Sequence, residues 1–546
     1  MNIKILASPF RLLLEDRAEA FPGCLAGGTR AEMPRRRTLL AVLMLVCLIP
    51  RVWAAWNWNV LWADTVFYLD ISNALERRAF PAAFFSLGLN VYPVILLWLR
   101  HCGVDWTVAG EWWSIAMATL AVLPLYGWVR RQFDDQVAAV ACLLYALHPK
   151  LVAFSPLIIR DPTFWLLLNL TLYLILRAAV EIRWSLFLAA GVALTLSVHT
   201  RTEGWVLLVP VVLWPALRLP SAAGSRVRLV VGTLACLAVI PLSVALVNAT
   251  WLRDCPQWSM IRGHHLAVVH RWLGSFSTSA PPTTPESTPA DELSLTPTLD
   301  PLEKRHSGFP LVRKLAVRLV KAFTYVPGVL VLIGVWQWRH VFFRLDHLVV
   351  SFMSLLLLVA IGIRYSEADT DIRYFLPIVF VSFPAMGLGL LQVTDGIVRA
   401  TGRRVTWGPK GRCALAVGLL AIVWLAGWRD RELSAGPRMH QRAALGRQIL
   451  QRLGPNRSIA ARLVSAGPVV YYSRGRLVGE PLLSVLGDHR PVVVLLEDSS
   501  QNRDCWAAYA AILQRELGLR YHRIPEDRLP PRSEGTLVLV RSDERF

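Results

Sequence analysis

The chain runs to 546 residues with 54% hydrophobic content, 22 tryptophans and a mean hydropathy of +0.44. A soluble protein averages about 45–50% apolar residues even with glycine counted, so a wholly soluble protein is excluded and a polytopic membrane protein is expected. The net charge of +20 does not call for nucleic acid: arginines at helix ends are the ordinary topology signal of an inner membrane, and no basic run interleaved with aromatics lies outside those positions.

Residues 1–37 read as a cytoplasmic leader, because 1–33 lack the charged-then-apolar pattern and cleavage site of a signal peptide. Arg35, Arg36 and Arg37 then fix the N-terminus inside, ahead of a first span over 38–56. An outer loop follows at 57–106. Within it, 89–100 is apolar but short, and a span needs roughly 20 residues, so this piece is expected to lie in the interface. That choice keeps Arg130 and Arg131 on the inner side with every later basic loop.

Ten further spans are expected, over 107–129, 137–154, 162–180, 185–200, 204–217, 229–248, 317–338, 346–363, 374–392 and 413–428. The fold class is thus an α-helical membrane protein of about eleven spans, with a transmembrane domain over 38–429. The outer segments are 57–106, 155–161, 249–316 and 364–373. The third is rich in Ser, Thr and Pro between Ser275 and Pro301 and reads as a flexible loop, either a lid over a site or a linker. Beyond it, 430–546 is arginine-rich with β-branched runs at 458–464, 469–472, 492–496 and 536–540 around a helical segment at 504–517. Strands alternating with helices suggest a small extracytoplasmic α/β domain with a mostly parallel sheet.

The eight cysteines form neither a CxxC pair nor a metal spacing. Cys47, Cys142, Cys236 and Cys413 lie in apolar runs and read as small core residues, and Asp134-Asp135 read as inner-loop charges. Chemistry is expected at the outer face. Asp64 follows the first apolar stretch, and Asp161 opens another in Arg160-Asp161-Pro162. A carboxylate at the edge of a spanning helix costs solvation energy and usually has a task there, although Asp161 before a proline also suits a helix cap. Arg160, Arg201, Arg364 and Arg373 supply cations at or near the same face. Arg201 sits in a polar break, His199-Thr200-Arg201-Thr202-Glu203-Gly204, which either lines a cavity or caps two helix ends through an Arg201–Glu203 pair. Arg373 opens a helix against its macrodipole and either binds phosphate or anchors to Asp369 or Asp371.

The order of these motifs resembles the GT-C membrane glycosyltransferases, in particular the protein O-mannosyltransferase and aminoarabinose-transferase-like branch. The pieces are Asp64 with Tyr68, Tyr92-Pro93, Tyr126-Gly127-Trp128-Val129-Arg130-Arg131, Tyr145-Ala146-Leu147-His148-Pro149, Asp161, the break around Arg201, and Arg373-Tyr374-Phe375-Leu376-Pro377. The resemblance covers roughly 38–430. It implies inverting transfer of a sugar from a polyprenyl-phosphate donor to an extracytoplasmic acceptor, a glycolipid, polysaccharide or protein, at a bacterial inner membrane. Asp64 would be the base and Asp161 the second acid, with Tyr68, Arg160, Arg201, Arg373 and Tyr374 binding substrate. It implies no certain cofactor and leaves a divalent metal open, since Asp64-Thr65 stands where many relatives carry two adjacent acids. A transporter or flippase of lipid-linked precursors is the alternative class, which would show internal repeats and midplane charges.

Overall fold

The computed structural model describes residues 32–57, 63–80, 83, 89–222, 224–251, 309–342, 345–367, 372–401, 415–422, 425, 436–455, 457–461, 476–479, 493–497, 521–523 and 536–541. The central part of the outer loop at 249–316 and the expected helix at 504–517 lie outside these residues, as do Asp369, Asp371 and the Arg364 side chain.

The helices run in chain order as α1 (Glu32–Asn57), α2 (Ala63–Glu76), α3 (Val91–His101), α4 (Trp106–Leu120), α5 (Val122–Gln132), α6 (Asp135–Leu147), α7 (Pro149–Phe154), α8 (Asp161–Glu181) and α9 (Trp184–Thr200). A 3-10 turn, Thr202–Leu207, leads into α10 (Leu208–Arg218) and α11 (Arg226–Thr250). Then come α12 (Phe309–Ala322), α13 (Val326–Gln337), α14 (Arg339–Phe342) and α15 (Leu345–Glu367). A second 3-10 turn, Ile372–Phe375, opens α16 (Leu376–Thr401), and α17 (Gly436–Leu453) precedes five short strands.

Five helical stretches among the described residues are long and apolar enough to cross a membrane, six if the bent pair α12–α13 counts as one. They include 161–181 and 372–401, the second with 83% of its apolar window buried inside the protein. The α3 helix has only 11 residues, well under the roughly 20 a span needs. Three expected spans are interrupted. The 137–154 run breaks at His148, where Pro149 begins α7, because proline cannot continue the hydrogen-bond ladder. Arg51, fully buried on α1, closes that broken end by donating from Nη1 to the Ala146 carbonyl at 2.9 Å. Residues 204–217 divide into the first 3-10 turn and α10. The 317–338 run bends by 97° between α12 and α13, through Thr324 and Tyr325, both at positive φ (54° and 60°).

The α8 helix runs through the centre of the bundle, against α4, α5, α9 and α10. Pro162 starts it and left-handed Ile182 ends it. Trp128 Nε1 donates to Asn169 Oδ1 at 2.9 Å across the α5–α8 seam. On the far side α13 lies close on α16. Gly334 faces the Ala385 carbonyl and Gly389 faces the Leu330 carbonyl, and a Cβ at either would collide with backbone. Such small residues let helix backbones approach inside lipid.

The strands are β1 (Ser458–Ala461), β2 (Arg476–Gly479), β3 (Val493–Glu497), β4 (Tyr521–Arg523) and β5 (Thr536–Arg541), in the order β2-β1-β3-β5-β4. β1 is parallel to both neighbours, whereas β5 runs antiparallel to β3 and β4. The sheet is therefore mixed rather than mostly parallel. A parallel pairing needs a long crossover, which the consecutive strands β4 and β5 avoid by pairing antiparallel.

Candidate active site

The start of α2 places Asp64 in its first turn. Thr65 Oγ1 donates to the Ile158 carbonyl at 3.1 Å and so ties this turn to the segment ahead of α8. One turn on, Tyr68 is buried with its ring edge-on to Tyr92, centroids 5.2 Å apart. Ser72 Oγ bridges the Tyr68 and Pro93 carbonyls at 2.8 and 3.0 Å, and Asn90 caps α3 by accepting from the Tyr92 N–H. The short apolar piece expected in the interface is thus a rigid support under Asp64. Burial pushes the Tyr68 hydroxyl well above its ordinary range, so it stays protonated.

Asp161 does not cap α8: it is the first helical residue, and the preceding Arg160 is the capping position without a side-chain bond. Its Oδ1 accepts from Arg201 Nη1, while Oδ2 has no hydrogen-bond partner among the described residues. Arg201 ends α9 in extended conformation. Its Nε and Nη2 donate to Glu203 Oε2 and Oε1 at 3.1 and 3.0 Å. The guanidinium is 2% exposed and Asp161 1%, so this is a dry triad in which one cation holds two carboxylates. Burial pushes Glu203 up, but the Arg201 charge and its hydrogen bonds outweigh that and hold it at about 2.

Arg373 lies in the second 3-10 turn, and its Nη1 is 2.6 Å from Asp64 Oδ2. Asp369 and Asp371 lie outside the described residues. The Tyr374 ring connects the two ion-pair groups, with the Arg201 guanidinium 4.9 Å and the Arg373 guanidinium 5.5 Å from its centroid. Cations near an aromatic face are attracted by its quadrupole, so Tyr374 offsets the repulsion of two neighbouring guanidiniums.

Arg160 lies near enough to Glu203 for its charge to help hold that carboxyl down. With Arg201 it borders a cavity of about 350 Å³ whose other polar walls are Asn90, His199, Thr200 and Thr202. Leu237, Ile240, Pro241 and Val244 of α11 form its apolar side. His199 Nε2 meets Ser243 Oγ at 2.9 Å, and Ser243 Oγ already donates to the Ile240 carbonyl, so the histidine is the donor. Sequence reasoning did not single out His199 or Asn90; the first was visible only as part of the polar break, the second only as a residue ahead of a proline-containing helix. Among the described residues no three His, Cys, Asp or Glu side chains gather as a metal site, and the guanidinium of Arg201 occupies the space between Asp161 and Glu203.

The structure thus brings Asp64, Tyr68, Arg373 and Tyr374 together, and beside them Asp161, Arg201 and Arg160. The arrangement can accept a proton at Asp64, and it holds cations for an anion at Arg373 and Arg160. A family model described as dolichyl-phosphate-mannose-protein mannosyltransferase matches residues 95–251, which include Arg160, Asp161 and Arg201. No curated protein sequence matches the chain. Among solved structures, ArnT from Cupriavidus metallidurans in the apo state is 13% identical with a TM-score of 0.55, covering 93% of this chain and 98% of that one. ArnT bound to undecaprenyl phosphate is 14% identical with a TM-score of 0.53 and the same coverage. The oligosaccharyltransferase AglB of Archaeoglobus fulgidus, solved with an inhibitory peptide and a dolichol-phosphate, is 13% identical with a TM-score of 0.49, covering 94% and 76%. The chain is an integral membrane protein with the fold of the GT-C membrane glycosyltransferases that its motifs resemble.

Proposed function

We propose that the protein transfers a sugar from a polyprenyl-phosphate donor to an extracytoplasmic acceptor. The observation that carries this reading is the Asp64–Arg373 pair, at 2.6 Å: a proton acceptor and a phosphate-type cation in contact at the end of the bundle. The matched mannosyltransferase family and the undecaprenyl phosphate bound to ArnT support the donor class.

In the reaction, an acceptor hydroxyl attacks the anomeric carbon while the bond from that carbon to the phosphate oxygen breaks. Asp64 takes the hydroxyl proton, the role of a general base. Negative charge grows on the departing phosphate, where Arg373 and Arg160 stabilise it through charge-assisted hydrogen bonds. The donor phosphate competes with Asp64 for Arg373, so its arrival frees the carboxylate for the acceptor. Asp161, Arg201 and Glu203 act as positioning residues, because the triad is buried and reaches the site through Tyr374. We read 38–429 as the catalytic domain and 430–546 as an extracytoplasmic α/β domain.

Replacement of Asp64 tests the reading, since an amide is nearly isosteric but takes no proton. Asp64→Asn is expected to lower transfer about 10²–10⁴-fold at unchanged abundance, measured by mass analysis of envelope lipids and glycans in a deletion strain carrying the variant. Activity within a factor of about three of the parent, far short of that range, would remove Asp64 from the reaction.

A further inference from the structure

Asn90 carries a donor that the fold does not use. Its Oδ1 accepts from the Tyr92 N–H at 3.0 Å, which fixes the amide with Nδ2 as its other end. That nitrogen has no hydrogen-bond partner among the described residues, although Asn90 is only 4% exposed. A buried donor left unpaired is costly, and native proteins keep few of them. Asn90 lines the cavity of about 350 Å³ beside Arg160, so a ligand there can take up this donor.

The cavity reaches from the buried interior to the membrane-facing flank. Asn90, Thr200 and Arg201 line it and are buried, whereas Trp205 of the first 3-10 turn and Pro241 of α11 line it and are exposed. It therefore opens between α11 and that turn. Pro241 lies well inside α11, a 25-residue helix apolar enough to span, so the opening faces hydrocarbon. Ile240 and Val244 give it an apolar wall. Such a mouth admits a lipid chain with its polar head inward.

The reaction decides which part of the donor belongs here. Base and leaving group stand on opposite faces of the anomeric carbon in an inverting displacement, so the order runs base, sugar, phosphate, lipid chain. The protein repeats that order. Asp64 meets Arg373, the Tyr374 ring connects Arg373 to Arg201, and Arg201 borders the cavity with Arg160 and Asn90.

We propose that Asn90 binds the donor lipid: its Nδ2 donates to a phosphate oxygen beside Arg160, and the first isoprenoid units lie in the cavity against Ile240 and Val244. The proposal rests on the reading of Arg373 and Arg160 as cations for the donor phosphate. It adds a residue that the motifs pass over, and a route by which the donor arrives sideways from the membrane.

Affinity of the purified full-length protein for undecaprenyl phosphate tests it. Asn90→Asp keeps the oxygen that caps α3 but replaces the donor with an anion. The variant is expected to melt no lower than the parent and to bind roughly 10- to 150-fold more weakly, the loss of a hydrogen bond to a charged group. A farnesyl phosphate carrying a benzophenone should label α11 at or beside Ile240 and Val244. Excess undecaprenyl phosphate should suppress that label, and inorganic phosphate or phosphatidylglycerol should not. Full affinity in folded Asn90→Asp protein, labelling away from the cavity, or equal suppression by phosphatidylglycerol would each overturn the proposal. If Arg373→Ala still weakened binding in such a case, the proposed transfer would stand without it; a parent protein that binds no undecaprenyl phosphate would remove both.

Discussion

Arg373 and Arg201 are chemically alike and differently placed, which separates what each can do. Arg373 meets Asp64 Oδ2, and that carboxylate is 31% exposed, so Asp64 is reachable from outside the protein when the pair opens. A charge-assisted hydrogen bond contributes about 1.5–3 kcal/mol, so Arg373→Ala is expected to weaken donor binding roughly 10- to 150-fold, with Arg373→Lys recovering only part of it for want of the planar fork. Affinity of the purified, folded variant for polyprenyl phosphate checks this, and unchanged affinity would make Arg373 structural. Arg201 is the opposite case. Removing one partner of a buried ion pair costs about 3–5 kcal/mol, and here two carboxylates would lose theirs. Arg201→Met should therefore lower thermal stability and abundance before any defect in donor affinity can be read, as a melting curve in detergent will show. Glu203 contributes to that stability in a definite pH window. Its folded value of about 2 lies below its ordinary 4.5, so the contribution is present above 4.5 and is lost as pH falls through about 2.

The two 3-10 turns, Thr202–Leu207 and Ile372–Phe375, are the elements that bring these residues to one place. The first depends on Gly204, where a Cβ would stand 2.7 Å from the Ser197 carbonyl carbon and oxygen. Backbone cannot yield as a side-chain end can, so Gly204→Ala is expected to cost about 1–3 kcal/mol, as overpacking does, and to loosen the Arg201–Glu203 pair. A lowered melting temperature together with reduced transfer checks it; an unchanged melting curve would show that the turn relaxes freely. Much of the site was legible in the sequence at this level. Asp64, Asp161, Arg201 and Arg373 stand out because ionisable residues beside apolar runs are costly. The Arg201–Glu203 pair was legible too, two residues apart in the polar break; the long-range pairs of Arg201 with Asp161 and of Arg373 with Asp64 were not, because those partners lie far away along the chain. Nor was the α12–α13 bend. It falls on Thr324 and Tyr325, just ahead of Pro327-Gly328, and Pro327 in the first turn of α13 marks a helix start inside a stretch apolar enough to pass for one span. His148-Pro149 repeats the case: the proline was visible, but the run around it was apolar enough to read as one span.

At the scale of the whole molecule, α8 connects two charge clusters. Asp161 at its N-terminus belongs to the site, whereas Glu181 at its C-terminus accepts from Arg177 at 2.8 Å and from Arg131 at 3.3 Å, with Arg183 nearby. Asp135, expected to be only a loop charge, pairs with Arg36 and Arg130. The helix has 21 residues, about 31 Å at 1.5 Å per residue, which matches a hydrocarbon core of roughly 30 Å. The two clusters thus lie one membrane thickness apart. Arginines in short loops mark the cytoplasmic side, which predicts the Glu181 end inside and the Asp161 end outside. Reporter fusions are expected to place 130–136 and 393–412 inside, and 249–316 and 430–546 outside. An outside signal at 130–136 would turn α8 over, carry Asp64 and Asp161 to the cytoplasmic face, and remove the extracytoplasmic acceptor from the reaction. An inside signal at 430–546 with the other three as expected would leave the site where it is and detach only the small sheet from it.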